Sequence, residues 1–312
     1  MKISYHLILL VLLGSLLIIM GLLTNGGIFN TRSLQGMAFQ LPLLGLFSIA
    51  QMVPMISGGI DLSIISCANL VGILSAFVLS KRGDLFSIIA SCLLGIALAG
   101  SIGILNGTLI AFMSIPPIIA TLGTMLLFKG IALVITKGYI ISGLAERFLV
   151  LGNGTLFGIP IPLLVFLGIV IISWFILNRT KYGVTIYMFG SNPVATKFSG
   201  IDVKKLVLLT YMFSSLIAGL AGLVMIARFN AAQAAYGESY LLLTVLTCVL
   251  GGVSPSGGKG GVLGVVIAVV ILQIVSTGFN LLKLSSHLAN ALWGIILVGV
   301  IVTNRTLTLK KE

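Results

Sequence analysis

Apolar and polar positions along this chain come in long blocks and do not alternate residue by residue. Continuous apolar runs stand near 5–23, 37–56, 62–80, 85–105, 118–136, 161–177, 206–226, 240–252, 260–281 and 287–303. Most are close to the ~20 residues that a helix needs to cross a hydrocarbon core of about 30 Å. A membrane β-barrel would need shorter segments of alternating polarity. The pattern therefore predicts an all-α fold, a polytopic membrane helical bundle of about ten transmembrane helices in a single domain over 1–312. The eighth run is too short for a full crossing. It reads as a tilted helix or as a broken one lining a cavity, the setting that tolerates irregular backbone at membrane depth. The first run is longer than a signal-peptide core and no small-x-small cleavage site follows it, so it is expected to stay as a span.

The longest stretch unable to sit in lipid is 178–205, NRTKYGVTIYMFGSNPVATKFSGIDVKK, with charges at Arg179, Lys181, Lys197, Asp202, Lys204 and Lys205. It reads as a cytoplasmic loop. Ten spans then put both termini in the cytoplasm, and the loop cations lean inward, as orientation by Lys and Arg requires. Only 8% of the residues are charged and the mean hydropathy is +1.23, against roughly 25% charged residues in soluble domains. The net charge of +12 would suit a nucleic-acid binder, but these cations sit between spans, where they orient helices. No nucleic-acid partner is expected. Lys129, inside the fifth run, reads as snorkelling to the interface or pairing with a neighbour.

Two breaks share one pattern: an apolar run, Gly-Gly, a short polar turn and another apolar run. They are ISGGIDLS at 56–63 and LGGVSPSGGKG at 250–260. Gly58, Gly59, Gly251 and Gly252 are candidate turn or gate positions, since glycine permits tight turns and close backbone approach. Their recurrence, one in each half, fits a distant internal repeat of the kind transporters carry. Asn106-Gly107 and Pro116-Pro117 predict an irregular or partly re-entrant segment over 106–116 on the inner side, with the helix restarting near Ile118. Residues 152–162 read as a loop on the outer side.

The chain offers no catalytic set and no metal cluster. His6 and His287 stand alone at span ends. Cys67, Cys92 and Cys248 fall inside apolar runs without ligand spacing and read as small core residues. The segment SGGKG at 256–260 lacks the G-x-x-x-x-G-K-[ST] order of a nucleotide loop, so no cofactor is expected on this chain and any ATP chemistry must come from a partner. An intramembrane carboxylate relay, usual in proton-coupled carriers, is not apparent. Asp61 can cap the helix expected from Leu62. The remaining polar groups in or beside spans are mostly neutral, which suits an uncharged, hydroxyl-rich solute as well as plain helix-to-helix hydrogen bonding. Gln51, Asp61, Asn69, Thr121, Thr124, Asn230, Gln233, Glu238 and Asn280 are the candidate solute-pathway residues.

Four motifs in order, GGIDLS at 58–63, PPIIATLGTMLLFKGIALVIT at 116–136, RTKYGVTIYMFGSNPVATKFSGIDVKK at 179–205 and LGGVSPSGGKGGVLG at 250–264, resemble the carbohydrate-uptake permeases of bacterial ABC importers. The likeness is to the ribose-type branch, which also contains the autoinducer-2 permeases. It implies a multi-pass subunit of the bacterial inner membrane, not itself an enzyme. It implies three kinds of partner: a second permease copy or a related permease, a cytoplasmic ABC ATPase, and a periplasmic or extracellular solute-binding protein. It also implies a coupling helix around 192–200, with Gly190, Asn192, Ala195, Thr196, Ser199 and Gly200 matching the family pattern. Many ribose-type members carry an acidic residue, Leu and Asp where this chain has Leu241, Leu242 and Leu243, with Glu238 just upstream. The alternative reading is a self-contained facilitator or channel for a small polar solute. A shaped polar element at 178–205 is what distinguishes the importer subunit from it.

Overall fold

The computed structural model describes residues 5–80, 83–285, 288 and 291–295. The described residues are helical almost throughout. Helix α1 spans Tyr5–Leu23, and after a 3-10 turn α2 runs over Thr31–Ile56. Helices α3 (Ile64–Leu79), α4 (Leu85–Ala111) and α5 (Pro117–Thr136) follow. Beyond them a connection holds strand β1 (Ile141–Ser142), helix α6 (Glu146–Asn153) and the β2–β3 hairpin (Thr155–Leu156, Ile159–Pro160). Helix α7 (Ile161–Arg179) leads into two short helices, α8 (Lys181–Ser191) and α9 (Pro193–Phe198). Helix α10 (Val203–Phe229) is followed by strand β4 (Ala231–Ala232), α11 (Glu238–Leu250) and α12 (Val262–Leu281). Among the described residues seven helices are long and apolar enough to cross a membrane, and α3 and α11 are shorter apolar helices. The tenth expected span, 287–303, lies outside the described residues apart from 288 and 291–295, as do His287 and the inferred position of the C-terminus.

Helix ends depart from the hydropathy pattern where a polar cap carries a helix past its apolar stretch. Asn30 accepts from the Arg32 N–H and starts α2 at Thr31, six residues before its apolar run. Asp202 caps α10 by accepting from Lys205 N–H at 3.0 Å. The expected irregular segment 106–116 is corrected: α4 continues through Asn106 and Gly107 to Ala111. Asn106 does not break the helix because its amide is satisfied by Ser63, ahead of α3, and by Thr124 of α5. Gly107 does not break it because the missing side chain is what lets α10 approach. The chain leaves the helix only at 112–116. Helix α11 has 13 residues, about 20 Å at 1.5 Å per residue, so it is a partial crossing. The loop expected over 152–162 ends earlier, since α7 begins at Ile161.

The core is built on a stripe of small residues. Gly95, Ala99, Gly103 and Gly107 recur every fourth position on α4 and so share one helix face. A Cβ placed on Gly103 would lie 2.5 Å from Met212 Cα, and one on Gly107 would lie 2.7 Å from Leu208 Cα. On α10, a Cβ on Gly219 would meet Ala99 Cβ at 2.5 Å, and one on Gly222 would strike the Ala68 backbone of α3. Small residues of this kind let helices associate at backbone contact where lipid supplies no hydrophobic drive. Helix α2 is buried along its whole length from Pro42 onwards, whereas α1 buries only Leu9 and Met20 and stands at the edge. Cys67 and Cys248 are buried free thiols donating to Ser215 O and Ser48 O.

Candidate functional site

The polar segment is two rigid helices. Thr180 caps α8 by accepting from Gly183 N–H, and Asn192 caps α9 by accepting from Ala195 N–H at 2.9 Å, with Pro193 in the first position. Pro at a helix start has its φ preset for the turn. Thr196 is buried, and its hydroxyl donates to Asn192 O, while Ser199 donates to Ala195 O. Gly200 takes φ +78 and turns the chain towards the Asp202 cap. Asn192, Ala195, Thr196 and Ser199 line a shallow groove of about 400 Å³ with Tyr187, Met188 and Ser191. Gly200 stands outside it. Val194 and Phe198 project from α9, Phe198 at 87% exposure. These exposed apolar residues were not singled out in the sequence. Their signal is an apolar side chain on a short amphiphilic helix that lies outside the apolar runs.

Gly190 does not line the groove. It sits beneath it, where the two glycine breaks meet. A Cβ on Gly190 would strike Ile56 O and Gly258 N. Gly257, at φ +86, would place a Cβ 2.7 Å from Gly190 O and 2.8 Å from Gly58 N. Gly258 N–H donates to Ile56 O at 2.9 Å, and the Tyr187 hydroxyl donates to Gly260 O at 2.9 Å. Burial pushes the Tyr187 phenol above its ordinary range, so it stays a neutral donor. Three backbones thus touch: the end of α2, the 254–260 turn and the end of α8. Gly58 belongs to this junction at φ +84, near Ser256 O. The other three turn glycines serve elsewhere. Gly59 abuts the Tyr211 hydroxyl, Gly251 packs on the Val265 backbone, and Gly252 faces the Tyr5 ring.

Just past the first break lies a buried polar hub. Asp61, fully buried, accepts from Ser63 N–H (2.9 Å) and Ser63 Oγ (2.7 Å) on one oxygen and from Ser214 Oγ (3.1 Å) on the other. Asn106 donates to Ser63 Oγ, and Thr124 donates to Asn106 Oδ1, each at 2.7 Å. Thr121 donates to Ile60 O at 3.1 Å. The helix Asp61 was expected to cap at Leu62 begins at Ile64, because Asp61 and Ser63 hold the turn. The hub joins α3, α4, α5 and α10. Its members Ser63, Asn106 and Ser214 were missed from the candidate list, since they are separated in sequence and ordinary in type.

Farther along the span is a cavity of about 310 Å³ between α3, α5 and α11. Ser66, Asn69, Lys129 and Glu238 form its polar side, and Ile65, Met125, Leu126, Leu241 and Leu242 form its apolar side. Lys129 Nζ stands 2.6 Å from Glu238 Oε1. Asn69 donates to Ala234 O (3.0 Å) and Tyr236 O (2.9 Å), while its Oδ1 has no partner among the described residues. Of the expected pathway residues, Asn69 and Glu238 line this cavity, and Asp61, Thr121 and Thr124 gather in the hub. Gln51 is fully buried in α2 with neither amide atom partnered among the described residues. Asn230, at φ +50, accepts from Leu144 N–H and clamps the 137–160 connection to the end of α10. Gln233 is half-buried in the turn before α11 and Asn280 is exposed near the end of α12. None of these last four lines the cavity.

A model of the family described as branched-chain amino acid transport system / permease component matches residues 33–301. The ribose import permease protein of Bacillus subtilis (strain 168) is 33% identical over 93% of this chain and 90% of its own length. The D-allose transport system permease protein of Escherichia coli (strain K12) is 29% identical over 95% and 90%. The autoinducer 2 import system permease protein of Yersinia enterocolitica is 30% identical over 86% and 82%. No solved structure matches significantly. A helical bundle with seven long apolar spans, matched over most of its length by these proteins, belongs to the permease-component family of ABC importers, and the chain is the multi-pass membrane component of such an importer in a bacterial membrane, not its ATPase.

Proposed function

We propose that this chain carries a small neutral sugar or sugar-like solute inward by alternating access, driven by a separate ATPase that docks on α8 and α9. The observation that carries the reading is the stacking of α8 on both glycine breaks at Gly190. A force applied to α9 reaches the turns that join α2 to α3 and α11 to α12 without passing through a flexible loop. Nucleotide acts in such a machine only by stabilising one conformation over another, and a rigid contact is what makes the two sites share that equilibrium. The exposed Val194 and Phe198 and the adjoining groove offer an apolar and hydroxyl-bearing footing for the ATPase. Gly190, Asn192, Ala195, Thr196, Ser199 and Gly200 then shape and hold the coupling element, which faces the cytoplasm with both termini.

Ser66, Asn69 and the Lys129–Glu238 pair give the α3–α5–α11 cavity both donors and acceptors for hydroxyls, and the names of the relatives, ribose, D-allose and autoinducer 2, point the same way. The exposed apolar faces of α4 and α5 leave room for a second permease copy or a related one, and a solute-binding protein would deliver solute at the opposite face. The whole of 1–312 acts as one domain, and no cofactor is needed on it. The test is Ala195→Arg, which fills the groove with a long cation. Capture of the ATPase and ATP-driven uptake should both fall to background while the permease still assembles in detergent. Unchanged uptake would remove α9 from the coupling path. Flux through the permease alone, without any ATPase, would support a self-contained facilitator instead.

A further inference from the structure

We infer that the Lys129–Glu238 ion pair is a gate across the solute path, opened when solute hydroxyls take the place of the partner charge. The inference rests on the permease reading above and names the residues that close its cavity. Lys129 lies about 18 Å along α5 from Pro117 at 1.5 Å per residue, well within a hydrocarbon core of about 30 Å. Its side chain is 39% exposed and that of Glu238 is 52% exposed. Ionised groups at such depth do not face lipid; they face a bundle interior or a water-filled passage and pair with each other. The α3–α5–α11 side is therefore a wet or subunit-covered face, although Leu126 and Leu242 beside it are apolar.

The pair also joins elements that otherwise pack apart. Helix α5 packs on α3 and α4, whereas α11 packs mainly on α2 and α12 and touches α3 less extensively. Glu238 is the first residue of the partial helix α11, and the turn leading to it is held by Asn69 through Ala234 O and Tyr236 O. Asn69, Ser66 and the ion pair thus surround one space, with Asn69 Oδ1 still open to a donor among the described residues. An ammonium offers donors and a carboxylate offers acceptors. A diol supplies both kinds of group at once, so each charge keeps a hydrogen bond while the two move apart. An anionic or cationic solute satisfies one partner and strands the other, and is disfavoured. The ligand class that fits is a neutral diol or polyol.

The experiment uses the full importer in proteoliposomes loaded with labelled ribose, which probes passive passage whatever the natural solute is. Lys129→Gln and Glu238→Gln should each raise ATP-independent efflux about tenfold, in the range of coupling expected for contacting residues. The exchanged pair, Lys129→Glu with Glu238→Lys, should return efflux towards wild type, a rescue that general damage to the fold would not give. Efflux unchanged in both single variants, or leak in the exchanged pair equal to the singles, overturns the gate. ATP-driven uptake by the unaltered complex is measured alongside. Its absence would count against the permease reading, while the efflux comparison would still decide the gate.

Discussion

Gly190→Ala adds one methyl group where three backbones meet. The new Cβ would strike Ile56 O and Gly258 N, and neither atom belongs to a side chain that can rotate away. Overpacking of a filled site costs about 1–3 kcal/mol. Separating the segments also loosens the Gly258 N–H to Ile56 O bond of 2.9 Å, worth about 1 kcal/mol net. The sum is about 2–4 kcal/mol against the closed junction, or roughly thirtyfold and upwards in its population at 1.4 kcal/mol per tenfold. The groove on α9 lies above the junction, so ATPase capture should survive. The assay is ATP hydrolysis and solute uptake measured together in proteoliposomes. Hydrolysis should continue while uptake per ATP falls by an order of magnitude or more. Gly168→Ala on α7, where a Cβ meets nothing within 4 Å, is the control and should behave as wild type. Wild-type uptake per ATP in Gly190→Ala would refute the reasoning, and so would an equal loss in Gly168→Ala.

Two further predictions concern the buried framework. Asp61→Ala leaves Ser63 N–H, Ser63 Oγ and Ser214 Oγ without their acceptor, and should destabilise the detergent-solubilised protein by about 2–4 kcal/mol; a melting temperature equal to wild type would show that the hub carries no stability. Gly103→Leu, at a position where even a Cβ meets Met212 Cα at 2.5 Å, should abolish folded yield. Gly100→Ala, whose Cβ meets only Leu216 Cδ2 at an ordinary 3.6 Å, should be tolerated, as judged by monodisperse protein in gel filtration.

The apolar blocks made the span order legible because a hydrocarbon solvent leaves the backbone little choice but helix. The ends were less legible. Asn30 and Asp202 extend α2 and α10 past their apolar runs with single side-chain hydrogen bonds, which hydropathy does not register. Asn106-Gly107 read as a break because both residues are poor helix formers in isolation. In the bundle, Gly107 is valuable for its missing side chain and Asn106 for its amide, and both depend on partners remote in the chain. The coupling candidates Asn192, Ala195, Thr196 and Ser199 came from the resemblance, not from hydropathy, and they line one groove on a short capped helix. The cavity came out only in part. Asn69 and Glu238 were singled out, but Asn230 and Asn280 share their chemistry and lie elsewhere. Polarity alone does not tell which side of a helix a residue takes.

The small-residue stripe on α4 has a mechanical consequence. Helices joined at backbone contact have no side-chain layer between them to reshuffle, and interiors of this density resist gradual deformation. Helices α3, α4 and α10 therefore pack as a single block. Alternating exposure of a central site needs hinges, and the block supplies none. Backbone breaks flank two helices outside the block: α5, which follows the irregular stretch 112–116, and α11, which begins after the turn at Gly237 and ends at Gly251 and Gly252.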